Sequence, residues 1–176
     1  MGAPHNKDRY GELWDQHRID VSLAEIDAIK DIVTLSGGWA WHFMSLPHKE
    51  LKHAHDHKDI DIFVKPENVA EVVQRLKDRG FQRAWTKYDR LPSAESFRRY
   101  EKTVDDIKIV IDFFVRAVPD FWINEHFVVL PETLLTFYKN IHSSDKCFAV
   151  QAATRLIAAG INPIGHPELT AMPKEK

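Results

Sequence analysis

The sequence predicts an α/β (α+β) fold, in which a small mixed β-sheet carries flanking helices and is followed by a C-terminal helical segment. Apolar and polar side chains alternate over residues 59–64, which is typical of a strand. Residues 66–80 place apolar side chains at helical spacing between a proline and a glycine, which indicates a helix. Residues 107–115, IKIVIDFFV, are rich in β-branched and aromatic side chains and indicate a buried strand.

Length, charge and cysteine content exclude several classes of protein. The chain has 176 residues, 44% of them apolar, and its 24 Lys and Arg against 26 Asp and Glu give a net charge of −2. This composition predicts a folded core and argues against a non-specific nucleic-acid binder, which would be basic. Cys147 cannot close an intramolecular disulfide alone, and the sequence shows neither a secretory leader nor an apolar run of about 18 residues. We therefore expect a soluble cytoplasmic protein with no membrane partner.

The core is expected to begin with a helix. Ser22 and Glu25 form a capping box at its start, and apolar residues follow at intervals of three. A short strand then ends in the turn Ser36-Gly37-Gly38, and the residues WAWHFMSL after this turn predict a second helix.

Two further strands are expected between the helix over residues 66–80 and the strand over residues 107–115. They are predicted at residues 81–88 and 96–103, and Asp105-Asp106 marks the turn that follows the second of them.

After Pro119 the sequence predicts helices in place of strands. Helices are predicted to begin at Pro131 and to span residues 147–159. The chain is thus expected to consist of an N-terminal arm, an α/β core, a C-terminal helical segment and a flexible tail, over residues 1–21, 22–118, 119–165 and 166–176.

Three polar features carry the candidate chemistry. The turn at Gly37-Gly38 would expose backbone N–H groups at a helix N-terminus, where phosphate binds favourably. Asp59 and Asp61 project side by side from a strand, and Asp112 lies in an apolar strand, where an ionised carboxylate is costly unless it is paired or bound to a cation. Taken singly, these features also fit a tight turn, a solvated strand face and a strand end. Together they suit Mg²⁺ beside a phosphate cradle and predict phosphoryl or nucleotidyl transfer.

The string SGGWAWHF…HDHKDIDIFV…KIVIDFF resembles the DNA-polymerase-β-type nucleotidyltransferase superfamily. The pattern of that superfamily is a Gly-Gly or Gly-Ser turn, an Asp-x-Asp strand and a third acid on a later strand. Over residues 30–118 the chain is most similar to the small nucleotidyltransferases that modify lincosamides and aminoglycosides. Two positions differ: His55 stands where those relatives usually carry Arg, and residues 146–150, KCFAV, lack both acids of their common Lys-Asp-x-x-Asp. The resemblance implies a sheet of nucleotidyltransferase type.

The resemblance also implies a reaction and a set of site residues. The reaction is the transfer of a nucleoside monophosphate, with AMP from ATP as the first choice, to a hydroxyl, with release of pyrophosphate. Asp59 and Asp61 would hold two Mg²⁺ ions, and Asp112 would either ligate the second ion or act as the base. The implied nucleotide contacts are Ser36, Gly37, Gly38, His57 and Lys139.

The acceptor is expected to be a small molecule, with antibiotics among the candidates, because the chain is short and nearly uncharged. The alternative is a protein side chain or an RNA end, as in toxin–antitoxin relatives. A basic stretch favours this alternative, and it consists of Arg90, Arg98, Arg99 and Lys102. The competing expectation for this stretch is an exposed strand face. A non-catalytic nucleotide-binding module is the rival of another class.

Histidine and tryptophan near the site have alternative interpretations. His53, His55 and His57 alternate and could share a zinc site on a strand, but we expect a solvated loop over the active site, with His57 near phosphate. Trp39 and Trp41 are expected to pack in the core, with a wall of the acceptor pocket as the alternative.

Overall fold

In the part of the chain that the structure describes, helices and strands alternate up to residue 84, and strands joined by turns follow to residue 129. The structure is a computed structural model, and it describes residues 16–45, 59–90, 96–131, 133, 134 and 136. The helices are α1 (Gln16–Asp27), α2 (Gly37–Ser45) and α3 (Val69–Asp78), with short 3₁₀ turns at Pro66–Asn68 and Lys87–Arg90. The strands are β1 (Thr34–Ser36), β2 (Asp59–Val64), β3 (Gln82–Ala84), β4 (Phe97–Val104), β5 (Ile107–Val115), β6 (Asp120–Ile123) and β7 (His126–Val129).

The seven strands of the described residues form one mixed sheet. The strand order is β3-β4-β5-β2-β1-β7-β6. β2 runs parallel to β5 and β1 runs parallel to β7, while the other neighbouring pairs are antiparallel. The predicted α/β class with a mixed sheet and flanking helices is confirmed. No helix in the described residues is long and apolar enough to span a membrane.

The tight turn between β4 and β5 fixes how these two strands pair. Its two turn residues, Asp105 and Asp106, have φ values of 50° and 64°. A two-residue turn with positive φ at both positions matches the twist of the strands that it joins. The turn makes Val104 face Ile107, and this fixes the register of every later pair along the hairpin.

Helix α3 ends as the sequence predicts. Gly80 has a φ of +87°, its N–H bonds to the carbonyl of Lys77, and the N–H of Phe81 bonds to the carbonyl of Leu76. This pair of bonds is a Schellman motif, in which glycine supplies the left-handed residue after the helix. Phe81 is then buried at the start of the next segment.

The core lies on the face of the sheet opposite to the predicted acids. Ile60, Ile62 and Val64 of β2 are fully buried there. Trp39 and Trp41 of α2 are also buried, at 0% and 1% exposed. The prediction that both tryptophans pack in the core is confirmed.

Helix α1 differs from its prediction. It begins at Gln16, so Ser22 lies inside the helix and is buried there rather than capping it. Glu25 does not cap the helix either: its carboxylate bonds to Arg79 after α3 and to Lys102 of β4. The predicted capping box is therefore wrong, because two cations from distant segments hold Glu25 inside the structure.

The sheet continues past residue 118, where the sequence predicts a helical segment. β6 and β7 form a hairpin through Asn124 and Glu125, both with positive φ. The hydroxyl of Thr34 donates to Asp120 Oδ2 at 2.7 Å, which connects β1 to the first residue of β6. Helical residues follow from Pro131, as predicted. The helix predicted over residues 147–159 and the tail lie outside the described residues.

The three strands predicted at residues 81–88, 96–103 and 107–115 are all present. The strand predicted at residues 81–88 is shorter, because β3 ends at Ala84 and a 3₁₀ turn follows. The strands predicted at residues 96–103 and 107–115 match β4 and β5 within one residue.

Candidate active site

Four polar side chains lie in one row across the sheet. The register pairs Ser36 with Asp61 and Asp61 with Asp112. Arg99 of β4 extends the row, because it is the partner of Asp112. Directly opposed residues of adjacent strands project from the same face, so these four side chains are neighbours in space.

Asp59 lies on the same face of the sheet as Asp61, one row closer to the start of β2. It precedes Asp61 by two residues, and side chains at that spacing share a face of the strand. Its partner on β5 is Val110, which in turn pairs with Glu101 of β4. The three predicted acids therefore occupy one face of the sheet, in two adjacent rows.

The glycine turn touches this group of acids directly. β1 runs into α2 at Gly37, which has a φ of +60°. A Cβ at this position would lie 2.2 Å from Oδ2 of Asp61, so no larger residue fits without moving the carboxylate. Asp61 thus packs against the N-terminal end of α2, where the helix dipole favours negative charge.

Asp112 is the most buried of the three acids, and Arg99 holds both of its oxygens. Arg99 Nε donates to Oδ1 at 2.7 Å and Arg99 Nη2 donates to Oδ2 at 2.9 Å. The side chain of Asp112 is 12% exposed and that of Arg99 is 31% exposed. The ion pair supplies the cation that a carboxylate in an apolar strand requires.

The guanidinium of Arg99 is surrounded by acids. Its pKa is raised above the usual value, first by the hydrogen bonds to Asp112, against an opposing effect of burial. The charges of Asp112, Asp59 and Glu101 raise this pKa further. Arg99 therefore stays protonated and is the cation that faces all of these acids.

The donor set of the site suits a hard cation. Asp59 and Asp61 offer carboxylate oxygens, which Mg²⁺ prefers, and the absence of a side chain at Gly37 leaves room for the Asp61 carboxylate. Within the described part of the chain, no group of three or more His, Cys, Asp or Glu side chains is arranged to hold a metal. Ligation by all three acids, including Asp112, stays a prediction.

Several predicted contacts lie outside the described residues. His57 and Lys139, predicted to contact the nucleotide, belong to these, as do His53 and His55 of the histidine cluster. Ser36 and Gly37 are buried and Gly38 is half-buried, so the predicted phosphate turn reaches the surface at Gly38.

The predicted basic stretch is not one exposed strand face, because Arg90 belongs to the 3₁₀ turn before β4 and only the other three residues lie on β4. Arg98, Arg99 and Lys102 are half-buried. Arg98 lies over the ring of Phe113, with 5.8 Å from its Cζ to the ring centroid, and Lys102 binds Glu25. These cations therefore make contacts within the chain, and β4 itself is an inner strand that pairs with β3 at one edge and with β5 at the other.

Sequence reasoning missed the role of Arg99, although a signal for it was present. A two-residue turn at Asp105-Asp106 fixes the register of the hairpin. Counting outward from this turn places residue 99 opposite residue 112. Since a buried Asp112 calls for a cation, this count identifies Arg99 as its partner.

No protein-family model matches the sequence, and no curated protein matches it either. Among solved structures, the solution structure of the antibiotic-resistance factor ANT(2'')-Ia has a TM-score of 0.48 at 14% identity, covering 82% of this chain and 85% of that one. The crystal structure of ANT(2'')-Ia in complex with adenylyl-2''-tobramycin has a TM-score of 0.45 at 14% identity, covering 84% and 93%. The Megavirus polyadenylate synthase has a TM-score of 0.47 at 13% identity and covers 96% of this chain but 38% of that one.

Proposed function

We propose that the protein is a Mg²⁺-dependent nucleotidyltransferase. It would move a nucleoside monophosphate, AMP as the first choice, from a nucleoside triphosphate to a hydroxyl of a small-molecule acceptor, with antibiotics among the candidates. The register that sets Asp61 between Ser36 and Asp112 carries this proposal. It puts the first residue of the glycine turn, one acid of the Asp-x-Asp strand and the third acid side by side.

The metal would be held by Asp59 and Asp61 together with phosphate oxygens of the nucleotide. Bound there, Mg²⁺ supplies neutralisation of the charge on the triphosphate and on the departing pyrophosphate. The resemblance implies two such ions. For Asp112 it leaves two roles, ligation of the second ion or acceptance of a proton.

The triphosphate would lie at the N-terminus of α2. Backbone N–H groups at Ser36, Gly37 and Gly38 would donate to the β- and γ-phosphates, where the helix dipole favours negative charge. His57 would contact a phosphate, and Lys139 a phosphate or the base.

The transfer itself requires one proton acceptor from the protein. The acceptor oxygen attacks the α-phosphorus in line, and a new P–O bond forms while the bond to the bridging oxygen of the β-phosphate breaks. Pyrophosphate leaves, and in the second of its two roles Asp112 would take the hydroxyl proton on its carboxylate. Asp112 is placed for this step because it is the register partner of Asp61, on the face where the nucleotide would lie.

A small molecule is favoured over RNA as the acceptor. The basic stretch on β4 was the feature that favoured RNA, and Arg99 and Lys102 in it bind acids of the chain itself. A protein or RNA acceptor and a non-catalytic nucleotide-binding module become outcomes of the same test.

Labelled nucleoside triphosphates test the proposed function. Each of the four, labelled at the α-phosphate, is incubated with Mg²⁺, the protein and panels of aminoglycosides, lincosamides, RNA and lysate proteins. We expect a labelled small-molecule product and an equal amount of pyrophosphate. Label recovered in RNA or in protein would show that this kind of molecule, rather than a small molecule, is the acceptor. A nucleotide-induced rise in melting temperature without any labelled product would identify a binding module.

A further inference from the structure

Three phenylalanines lie on the same face of the sheet as the predicted acids, in the row next to Asp112. Phe114 follows Asp112 by two residues on β5, and side chains at that spacing share a face of the strand. The register pairs Phe114 with Phe63 of β2 and with Phe97 of β4. These three residues form an aromatic row that runs directly beside the row of acids.

The rings of the aromatic row contact one another. The ring centroids of Phe63 and Phe114 are 5.4 Å apart, and those of Phe97 and Phe114 are 5.3 Å apart. Both pairs are tilted, at a separation that is favourable for aromatic rings. Phe63 also packs against the buried core, which anchors the row to the sheet. All three residues are half-buried, so the row presents apolar surface beside Asp112.

The strand order indicates the side from which an acceptor would approach. Ser36, Asp61 and Asp112 follow one another across β1, β2 and β5, and the proposed triphosphate lies at the end of β1. In phosphoryl transfer the attacking and leaving oxygens lie roughly in line, on opposite sides of the phosphorus. Since pyrophosphate would leave on the side of β1, the acceptor oxygen would arrive from the side of β5. Phe114 of β5 and Phe97 of β4 lie on that side.

We propose that Phe114 and Phe97 form an apolar subsite for the acceptor. The acceptor is then a hydroxyl compound with a flat apolar ring within about 7 Å of its reacting oxygen, the distance between residues 112 and 114 along the strand. This inference rests on the proposed function and names the acceptor class. Ligand sites typically combine apolar and aromatic walls with a few polar groups that orient the ligand, and the two rows supply both.

Trp122 is an aromatic residue on the same face of the sheet but on the other side of β1. Val128 of β7 pairs with the buried Leu35, so Phe127 and its partner Trp122 lie on the face of the acids. Trp122 is 56% exposed, and its ring centroid is 4.8 Å from that of Phe127. Because β6 lies beyond β1 and β7, Trp122 is on the side to which pyrophosphate would leave. It is therefore the matched control for the aromatic row.

A binding measurement tests the subsite without requiring transfer. Hydrocinnamyl alcohol, which carries a phenyl ring, and n-propanol, which lacks it, are titrated by saturation-transfer NMR in the presence of Mg²⁺ and the α,β-methylene analogue of ATP. We expect the wild type to bind hydrocinnamyl alcohol at least about tenfold more tightly than n-propanol, because the ring buries apolar surface. Phe114→Ala should remove most of this preference, and Trp122→Ala should leave it unchanged.

Kinetics with the acceptor found in the labelling panels supply the second arm. Phe114→Ala is expected to raise the KM for this acceptor at least about tenfold and to leave the KM for ATP within about twofold. Phe114→Tyr should restore the KM for the acceptor, because it keeps the ring. Trp122→Ala should change neither KM. A ring that only stabilised the sheet would lower the melting temperature when removed and leave the KM for the acceptor unchanged.

Three results would overturn the inference. The wild type could bind both alcohols equally, the preference for the ring could survive Phe114→Ala, or the acceptor could keep its KM in that variant. If Phe114→Ala fails to fold, Phe114→Leu gives the same comparisons, since it removes the ring and keeps an apolar side chain. If the wild type transfers no nucleotide at all, the proposed function fails, while the NMR titrations still show whether the aromatic row binds a ring.

Discussion

Oδ2 of Asp61 occupies the space in which a side chain at Gly37 would begin. The ideal Cβ position of residue 37 is 2.2 Å from this oxygen, and the φ of Gly37 is +60°. The turn that would bind phosphate and the acid that would bind the metal thus share one surface. A side chain added at residue 37 must therefore displace the Asp61 carboxylate.

Gly37→Ala is expected to abolish transfer and to lower stability. The new methyl group displaces the Asp61 carboxylate, and the left-handed backbone adds about 1–2 kcal/mol of strain. Urea unfolding measures the loss of stability, and pyrophosphate release measures the loss of activity.

Gly80→Ala is the matched control for this substitution. Gly80 also has a positive φ, +87°, but nothing lies within 4 Å of its ideal Cβ position. It should lose about 1 kcal/mol of stability and keep its transfer rate. Equal activity in the two variants would show that the contact between Gly37 and Asp61 has no part in function.

Removal of a carboxylate from β2 is expected to remove the effect of magnesium on nucleotide binding. In the wild type, ATP with Mg²⁺ should raise the melting temperature by several degrees. A ligand at 100-fold its Kd raises the free energy of unfolding by about 2.7 kcal/mol. EDTA should cancel most of this shift, and so should Asp59→Asn or Asp61→Asn.

Asp78→Asn is the control for these two variants. Asp78 is an exposed acid at the end of α3 that accepts a hydrogen bond from Gln74. Its variant should keep the full magnesium-dependent shift. A full shift in Asp61→Asn as well would remove Asp61 from the metal site.

His42 is expected to make folding stability fall in mild acid. Burial and, to a smaller extent, the charge of His126 together lower the pKa of His42 to about 4 in the folded protein. The unfolded chain takes up this proton below the ordinary pKa of 6.5, so between pH 6.5 and pH 4 it binds more protons than the folded chain. Stability is therefore lost as the pH falls, by about 1.4 kcal/mol between pH 7.5 and pH 5.5.

Urea unfolding at the two pH values checks this. His42→Phe fills the same place beside Trp39 and Phe43 and should reduce the pH dependence by that amount. His17→Gln, at a half-exposed histidine, should retain most of it. An unchanged slope in His42→Phe would contradict the assignment.

Glu25 is expected to stabilise the fold, although it lies outside the site. Burial raises its pKa, but hydrogen bonds from Arg79 and Lys102 outweigh burial, so the pKa of Glu25 lies below its usual value. Glu25→Ala leaves both cations unpaired and should lower the free energy of unfolding by about 1–3 kcal/mol. Glu71→Ala, at a surface pair with Arg75, should cost less than about 0.5 kcal/mol. Equal losses would show that burial does not strengthen the Glu25 pairs.

The elements with strong local signals were predictable from the sequence. Alternation identified β2, β-branched residues identified β5, and Gly80 identified the end of α3, because each signal is contained within a few residues. The positions of Asp59 and Asp61 on one face follow from the strand period alone. These local rules were sufficient to propose the site residues of β2.

Features that depend on contacts between distant segments were not predictable in the same way. Ser22 and Glu25 have the spacing of a capping box, but Arg79 and Lys102 engage Glu25 from segments more than fifty residues away. The hairpin of β6 and β7 was missed because its turn, Asn124-Glu125, lacks glycine, the usual residue at positive φ. The pairing of parallel strands β2 and β5 cannot be counted from a turn, since no hairpin joins them.

Pyrophosphate release by the wild type and by Asp61→Asn, with Mg²⁺, ATP and the acceptor found in the labelling panels, tests the central claim most directly. The account predicts steady release by the wild type and a loss of at least about 100-fold in the variant, because Asp61 lies between the glycine turn and Asp112. Release that continues unchanged in a folded Asp61→Asn protein would contradict it.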